Sequence, residues 1–256
     1  MGEVLIPAPR ALHGHLATPA GSGPWPGVVV VSDALGMTPD LRAQVEWLAA
    51  AGFLAVAPDL YSWGRKFRCV VATIRDVARG RGPAFDDVDA TRAWLADRPD
   101  CTGRIGVIGF CMGGGFAVLL AAGHGFDAAS VNYGALPKNA EDILTDACPV
   151  VASYGARDRT VRDAPVRLPR ILDAHGIDND VKVYPGVGHS FMNDHPGALA
   201  TFAGAGGKDA ALPRLFTVVG LLSKPLTGLG FDEQATADAR ARITAFFDRH
   251  LRPPVR

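Results

Sequence analysis

Along this chain, short unbroken apolar runs alternate with stretches whose apolar residues recur three and four apart. Residues 28–31 are four consecutive valines. A β-branched run with no polar alternation predicts a strand buried on both faces, as in a parallel sheet. Thr38 and Pro39 then read as a helix start, Leu41, Val45 and Leu48 as its apolar stripe, and Gly52 as its end. Residues 54–57 predict the next strand, closed by Pro58. Residues 84–97 predict a helix with Phe85, Val88, Ala93, Trp94 and Leu95 on or near its buried side. A strand at 105–108, helical residues 116–122, a strand at 149–153, helical residues 168–175 and a strand at 181–184 follow. The last predicted helix, 232–251, carries Ala239, Ile243, Phe246, Phe247 and Leu251 on its apolar positions. Acidic residues open it and Arg249 and His250 close it, which suits the helix dipole; Pro253 and Pro254 stop it.

This alternation predicts an α/β fold with a mostly parallel central sheet and helices on both faces. One stretch breaks the rhythm. Residues 204–207 are glycine-rich and 212–229 are apolar, so 204–230 is expected to be an insertion, a lid or a dimer contact. No internal repeat or interdomain linker is evident, so all 256 residues are expected to form one domain.

Composition narrows the function. Hydrophobic residues make up 48% of the chain, enough for a large core, and 26 basic residues balance 26 acidic ones. That balance favours neither nucleic acid nor an anionic membrane as a partner. Residues 1–10 lack a basic stretch followed by an apolar run, so no signal peptide is expected. Cys69, Cys101, Cys111 and Cys148 are widely spaced with no C-x-x-C pair, which predicts free thiols in the cytoplasm. A monomer or homodimer acting on a small molecule is the expectation.

The chemistry concentrates at Gly109-Phe110-Cys111-Met112-Gly113-Gly114. This G-x-C-x-G lies directly after a predicted strand and before a predicted helix, the setting of a nucleophile elbow with cysteine in the serine place. A strand-to-helix turn that sharp strains its central residue and leaves no room for flanking side chains, hence Gly109 and Gly113. A helix N-terminus favours thiolate over thiol at Cys111. The Met112 N–H is placed to stabilise an oxyanion. G-x-G-x-x-G is unmatched and the Gly-Lys-Ser/Thr ending of a P-loop is missing, so no dinucleotide or phosphate loop is expected. A buried cysteine beside packing glycines is the competing reading.

A base and its orienter should follow in the order nucleophile, acid, histidine. Asp158 and His189 both fall just past predicted strands, where open α/β sheets place their sites. Asp158 is flanked by Arg157 and Arg159, so simple charge pairing is its alternative; Asp163 and Asp173 are alternative acids. His124, His175 and His250 read as surface or helix-end residues. His13 and His15 share a strand face but have no carboxylate or cysteine near in sequence, so no metal is expected.

Taken together, these residues resemble the dienelactone hydrolase family of α/β-hydrolases. The match includes residues 27–31, 57–61, 106–114, 155–158 and 189–191. The cysteine elbow is its most specific part. The resemblance implies an α/β-hydrolase fold, a Cys111-His189-Asp158 triad, no cofactor and hydrolysis of an enol-lactone. It implies an oxyanion hole of the Met112 and Ala34 amides, with Asp33, Leu35, Ser190 and Phe191 in the pocket or against the cysteine. Asp33 stands where the family usually carries glutamate, and capping of its own loop is the alternative. The family's dienelactone-cleaving members carry a carboxylate-binding arginine shortly after the histidine, whereas this chain has Met192-Asn193. Arg75, Arg79 and Arg81 are candidates for a second family arginine. The expected activity is therefore ester or lactone hydrolysis through an acyl-enzyme. The alternatives are a promiscuous carboxylesterase with another natural substrate, or a non-catalytic binding or redox-sensing scaffold.

Overall fold

A computed structural model describes residues 1–64, 66–194, 228 and 230–252. Eight strands form one sheet: β1 (Gly2–Ile6), β2 (Leu12–Ala17), β3 (Trp25–Val31), β4 (Leu54–Pro58), β5 (Cys101–Phe110), β6 (Ala128–Asn132), β7 (Val150–Gly155) and β8 (Asn179–Tyr184). Their order is β1-β2-β4-β3-β5-β6-β7-β8. β1 and β2 run antiparallel at one edge; β4 through β8 are parallel. The helices are α1 (Pro39–Ala50), α2 (Lys66–Arg79), α3 (Pro83–Ala96), α4 (Met112–Leu120), α5 (Ala140–Ile143), α6 (Ala164–Ala174) and α7 (Glu233–Leu251).

The valine run explains the layering. Val28 and Val30 pack with α1 and α7 on one face, while Val29 and Val31 pack with α3, α4 and α6 on the other. All four are fully buried. Alternation across two covered faces leaves no polar position in such a strand. Helix ends follow their sequence signals: Thr38 Oγ1 accepts the Leu41 N–H at 3.2 Å, and Asp232 Oδ1 accepts that of Ala235 at 2.8 Å. Gly52, just past α1, has φ +93°, a conformation glycine adopts without strain.

The pattern predicts no element at β1, α2, α5 or β6. β6 reads Ala-Ala-Ser-Val-Asn and becomes a strand because β5 and β7 supply ladders on both sides. α2 carries scattered basic residues and leaves Val71 and Ile74 exposed. The buried face of α3 also differs from expectation. Ala93 is exposed and Trp94 half-buried under the Arg98 guanidinium, while Asp87 and Thr91 face inward. Asp87 is tolerated there because Arg10 pairs with it. The irregular segment 204–230 lies, apart from Gly228 and Gly230, outside the described residues, as do Pro253 and Pro254. Among the described residues no helix is long and apolar enough to cross a membrane.

The sheet order reverses between β3 and β5, the neighbours from which the chain winds outward in opposite directions. The loops leaving these two strands therefore face each other across a crevice, where doubly wound sheets hold ligands.

Candidate active site

Cys111 ends β5 and opens α4 with φ 55° and ψ −111°, a region that costs a non-glycine residue on the order of 1–3 kcal/mol. Its surroundings enforce that strain. A Cβ on Gly109 would lie 1.8 Å from the Gly113 carbonyl oxygen, and one on Gly113 would lie 2.2 Å from that of Val31. The Cys111 N–H donates to the Asn132 carbonyl at 3.0 Å, while Asn132 Nδ2 donates to the Gly109 carbonyl at 3.2 Å. The turn is thus clamped on both sides by the end of β6.

Asp158 and His189 meet beside the elbow. His189 Nδ1 lies 2.5 Å from Asp158 Oδ2, and Cys111 is close enough to the ring to influence its ionisation. With Nδ1 committed to the carboxylate, Nε2 is the nitrogen left for sulfur. The Asp158 carboxylate is fully buried, and its other oxygen accepts the Thr160 N–H at 2.9 Å and hydroxyl at 2.6 Å. Arg157 and Arg159 are both exposed, so flanking charge does not occupy Asp158. Its loop is fastened to that of His189: Arg157 N–H donates to the Val187 carbonyl at 2.9 Å, and a Cβ on Gly155 would lie 2.4 Å from the Gly188 oxygen.

The electrostatics follow from these contacts. Burial pulls the His189 ionisation down, but hydrogen bonds and charge from Asp158 and Cys111 override it and push it up to about 10. Burial likewise works against the Asp158 carboxylate, yet its bonds from His189 and Thr160 hold it below the usual carboxylate range.

The remaining expected residues separate. Met112 is the first residue of α4, with its N–H at the helix N-terminus. Ala34 lies in the turn after β3, held by the Tyr61 hydroxyl on its carbonyl at 3.3 Å. Asp33 Oδ1 accepts the Leu35 N–H at 2.8 Å, so this carboxylate caps its own turn. Leu35 and Ser190 are half-buried, and Ser190 has φ 59°. Phe191 is a correction: it is fully buried between Tyr133 (5.6 Å) and Tyr184 (5.0 Å) and packs in the core rather than presenting a face to substrate. Arg75, Arg79 and Arg81 are exposed.

Tyr61, Tyr133, Thr160 and Asn193 were not singled out as site residues. Thr160 carries a local signal, since a hydroxyl two residues past an aspartate closes an Asx-type turn. Tyr133 and Asn193 carry none, being 60 residues apart. Among the described residues no group of three or more potential metal ligands gathers. His13 is exposed, and His15 Nδ1 lies 2.9 Å from the Arg42 guanidinium, which opposes a second cation there.

The sequence profile of the dienelactone hydrolase family matches residues 12–251. A Yersinia pestis protein assigned as a carboxymethylenebutenolidase is 30% identical over 213 residues, 76% of this chain and 79% of that protein. The carboxymethylenebutenolidase of Pseudomonas putida is 29% identical over 204 residues, 75% of this chain and 86% of its own. A Klebsiella pneumoniae structure described as a dienelactone hydrolase superposes with a TM-score of 0.71 at 25% identity, covering 97% of this chain and 98% of that one. The profile match runs from β2 to the end of the last helix and takes in Cys111, Asp158 and His189, and this chain belongs to the dienelactone hydrolase family.

Proposed function

We propose that this protein hydrolyses activated esters or lactones through a thioester on Cys111. The observation that carries the proposal is the Asp158–His189 pair beside Cys111, a strained cysteine at the start of α4. The thiolate attacks the carbonyl carbon, and the Met112 and Ala34 amides receive the developing oxyanion. The C–O bond breaks, and His189 delivers its proton to the departing oxygen, which stays tethered if the substrate is a lactone. His189 then takes a proton from water as that water attacks the thioester. The C–S bond breaks, returning the thiolate and leaving a carboxylic acid. Asp158 holds the imidazole tautomer throughout. An ordinary amide is disfavoured, because thiolate leaves the tetrahedral intermediate more readily than an unprotonated amine.

One observation favours a substrate other than the anionic dienelactone. At the position where the resemblance would place a carboxylate-binding arginine, Asn193 is already engaged. It accepts from the Tyr133 hydroxyl and its Nδ2 donates to Asp40 at 2.6 Å. A neutral amide committed to protein partners does not replace a bidentate guanidinium.

The test is hydrolysis of p-nitrophenyl acetate and of a dienelactone by the wild type, Cys111→Ala, His189→Ala and Asp158→Asn, with intact mass of the wild type during turnover. Loss of activity in the Cys111 and His189 variants with the fold preserved, and an acyl adduct on Cys111, is the expected result. Preference for the neutral ester supports the altered pocket. If the wild type turns over neither, or Cys111→Ala keeps full activity, the non-catalytic reading replaces this one.

A further inference from the structure

The end of β6 reaches both the cysteine elbow and the His189 loop. Asn132 clamps the nucleophile turn from below. The next residue, Tyr133, has φ 43°, one of three non-glycine residues of positive φ among those described; the other two are Cys111 and Ser190, beside His189. Its N–H donates to the Ser153 carbonyl of β7 at 2.8 Å, the strand that leads to Asp158. The residue after it is forced into close contact as well: a Cβ on Gly134 would lie 2.3 Å from the Gly114 carbonyl carbon of α4. This crowding fixes where the Tyr133 side chain points.

That side chain is 1% exposed, and its ring meets the His189 imidazole edge-on at 5.2 Å and 61°. Its hydroxyl donates to Asn193 Oδ1, in the loop that carries His189. Asn193 Nδ2 donates to Asp40 Oδ2, and the Asp194 N–H donates to Asp40 Oδ1 at 2.8 Å. Asp40 lies in the first turn of α1, directly after the turn that carries Ala34. Cys111, Asp33, Asp40 and Arg240 are the titratable or charged groups whose fields reach the Tyr133 ring, which contacts His189 directly.

We propose that Tyr133 is a positioning residue: its ring and its hydroxyl bond to Asn193 hold the His189 loop against the cysteine elbow, with Asp40 tying the brace to the oxyanion-side turn. It takes no proton and touches no reacting atom. The strain at Tyr133 fits this role, since a side chain held in a sparsely populated conformation persists where its surroundings over-determine it. The inference rests on the acyl-enzyme mechanism only for its effect on turnover.

The test uses Tyr133→Phe, which keeps the ring, and Asn193→Ala, which removes the hydroxyl's acceptor without altering Tyr133. Two readouts are taken: kcat and KM for p-nitrophenyl acetate per titrated active site, and the pH profile of Cys111 alkylation by iodoacetamide, followed by mass spectrometry of the Cys111 peptide. Each variant is expected to lower kcat on the order of tenfold, because small misplacements of a catalytic group carry large rate costs, with KM within about twofold. The lower limb of the alkylation profile moves to higher pH, as a less firmly held imidazolium stabilises thiolate less. The double variant is expected to be no worse than the poorer single one, because both cut one bond. Unchanged kcat per site together with an unshifted alkylation profile in both variants overturns the proposal. Alkylation needs no turnover, so a wild type inactive on esters refutes the hydrolase mechanism while the brace is still tested.

Discussion

The turn that holds Cys111 owes its shape mainly to glycines within six residues of sequence, closed on by Val31 of β3 and Asn132 of β6, whereas His189 is met by groups from beyond β6 and β7. On the nucleophile side, Gly109 and Gly113 permit contacts that any side chain would block, and Cys111 has no alternative but φ 55°. On the His189 side, the ring is met by Asp158, itself held by Thr160, and by Tyr133, whose hydroxyl ties to Asn193. A locally built feature fails all at once when its motif is broken. A distributed one should lose function in graded steps.

The largest test of that contrast is Asp158→Asn. The buried amide preserves shape but reverses the tautomer preference of His189, so kcat should fall on the order of 10⁴-fold while Cys111 stays in place. Steady-state rates with a thermal melt check it; a loss under tenfold would mean that Asp158 is not the orienter. Gly109→Ala comes next. Its Cβ cannot coexist with the Gly113 oxygen at 1.8 Å. The elbow must open, with activity falling on the order of 10²-fold or more and stability by about 1–3 kcal/mol. Retention of both would show that the turn is not locally determined. Thr160→Val removes one of two bonds to a single Asp158 oxygen and should cost roughly tenfold in rate, consistent with a hydrogen bond to a charged group.

A separate test of the His189 side is the pH dependence of stability. The His189 ionisation stands at about 10 in the folded protein against 6.5 unfolded. Its contribution is therefore complete below 6.5 and drains away as pH rises to about 10. Asp158 acts in the opposite direction: its folded value is depressed, so its contribution is present above 3.8 and is lost as pH falls through the folded value. Urea midpoints across the alkaline window should fall for the wild type and fall less for Cys111→Ala, which lacks the thiolate share of the His189 shift. Equal slopes would separate the imidazolium from Cys111.

The same contrast explains what could be read from residues alone. The valine run, the Thr38 and Asp232 caps and the cysteine elbow are short-range features whose physics is complete within a few positions, and each appears in the structure where its pattern lies. Asp158 and His189 were legible because chain order and strand ends narrow the choice. Whether Asp158 paired with its flanking arginines or with His189 was open until β7 and β8 placed their loops in contact. β6 was illegible because Ala-Ala-Ser-Val-Asn has little strand preference of its own and is stabilised by its neighbours' ladders. Position next to His189 does not say which side of the loop a ring faces; burial against Tyr133 and Tyr184 decided it for Phe191.

By itself, then, the sequence determined the layered α/β architecture, the strained cysteine and the order of its partners, since periodicity, caps and glycine sterics act over a few residues. Only tertiary structure decided that Asn193 is occupied by Tyr133 and Asp40, and that the residues ending β6 meet both the elbow and His189. Those contacts join residues far apart in the chain, and their energies depend on burial and direction that exist only once the sheet has closed on its helices.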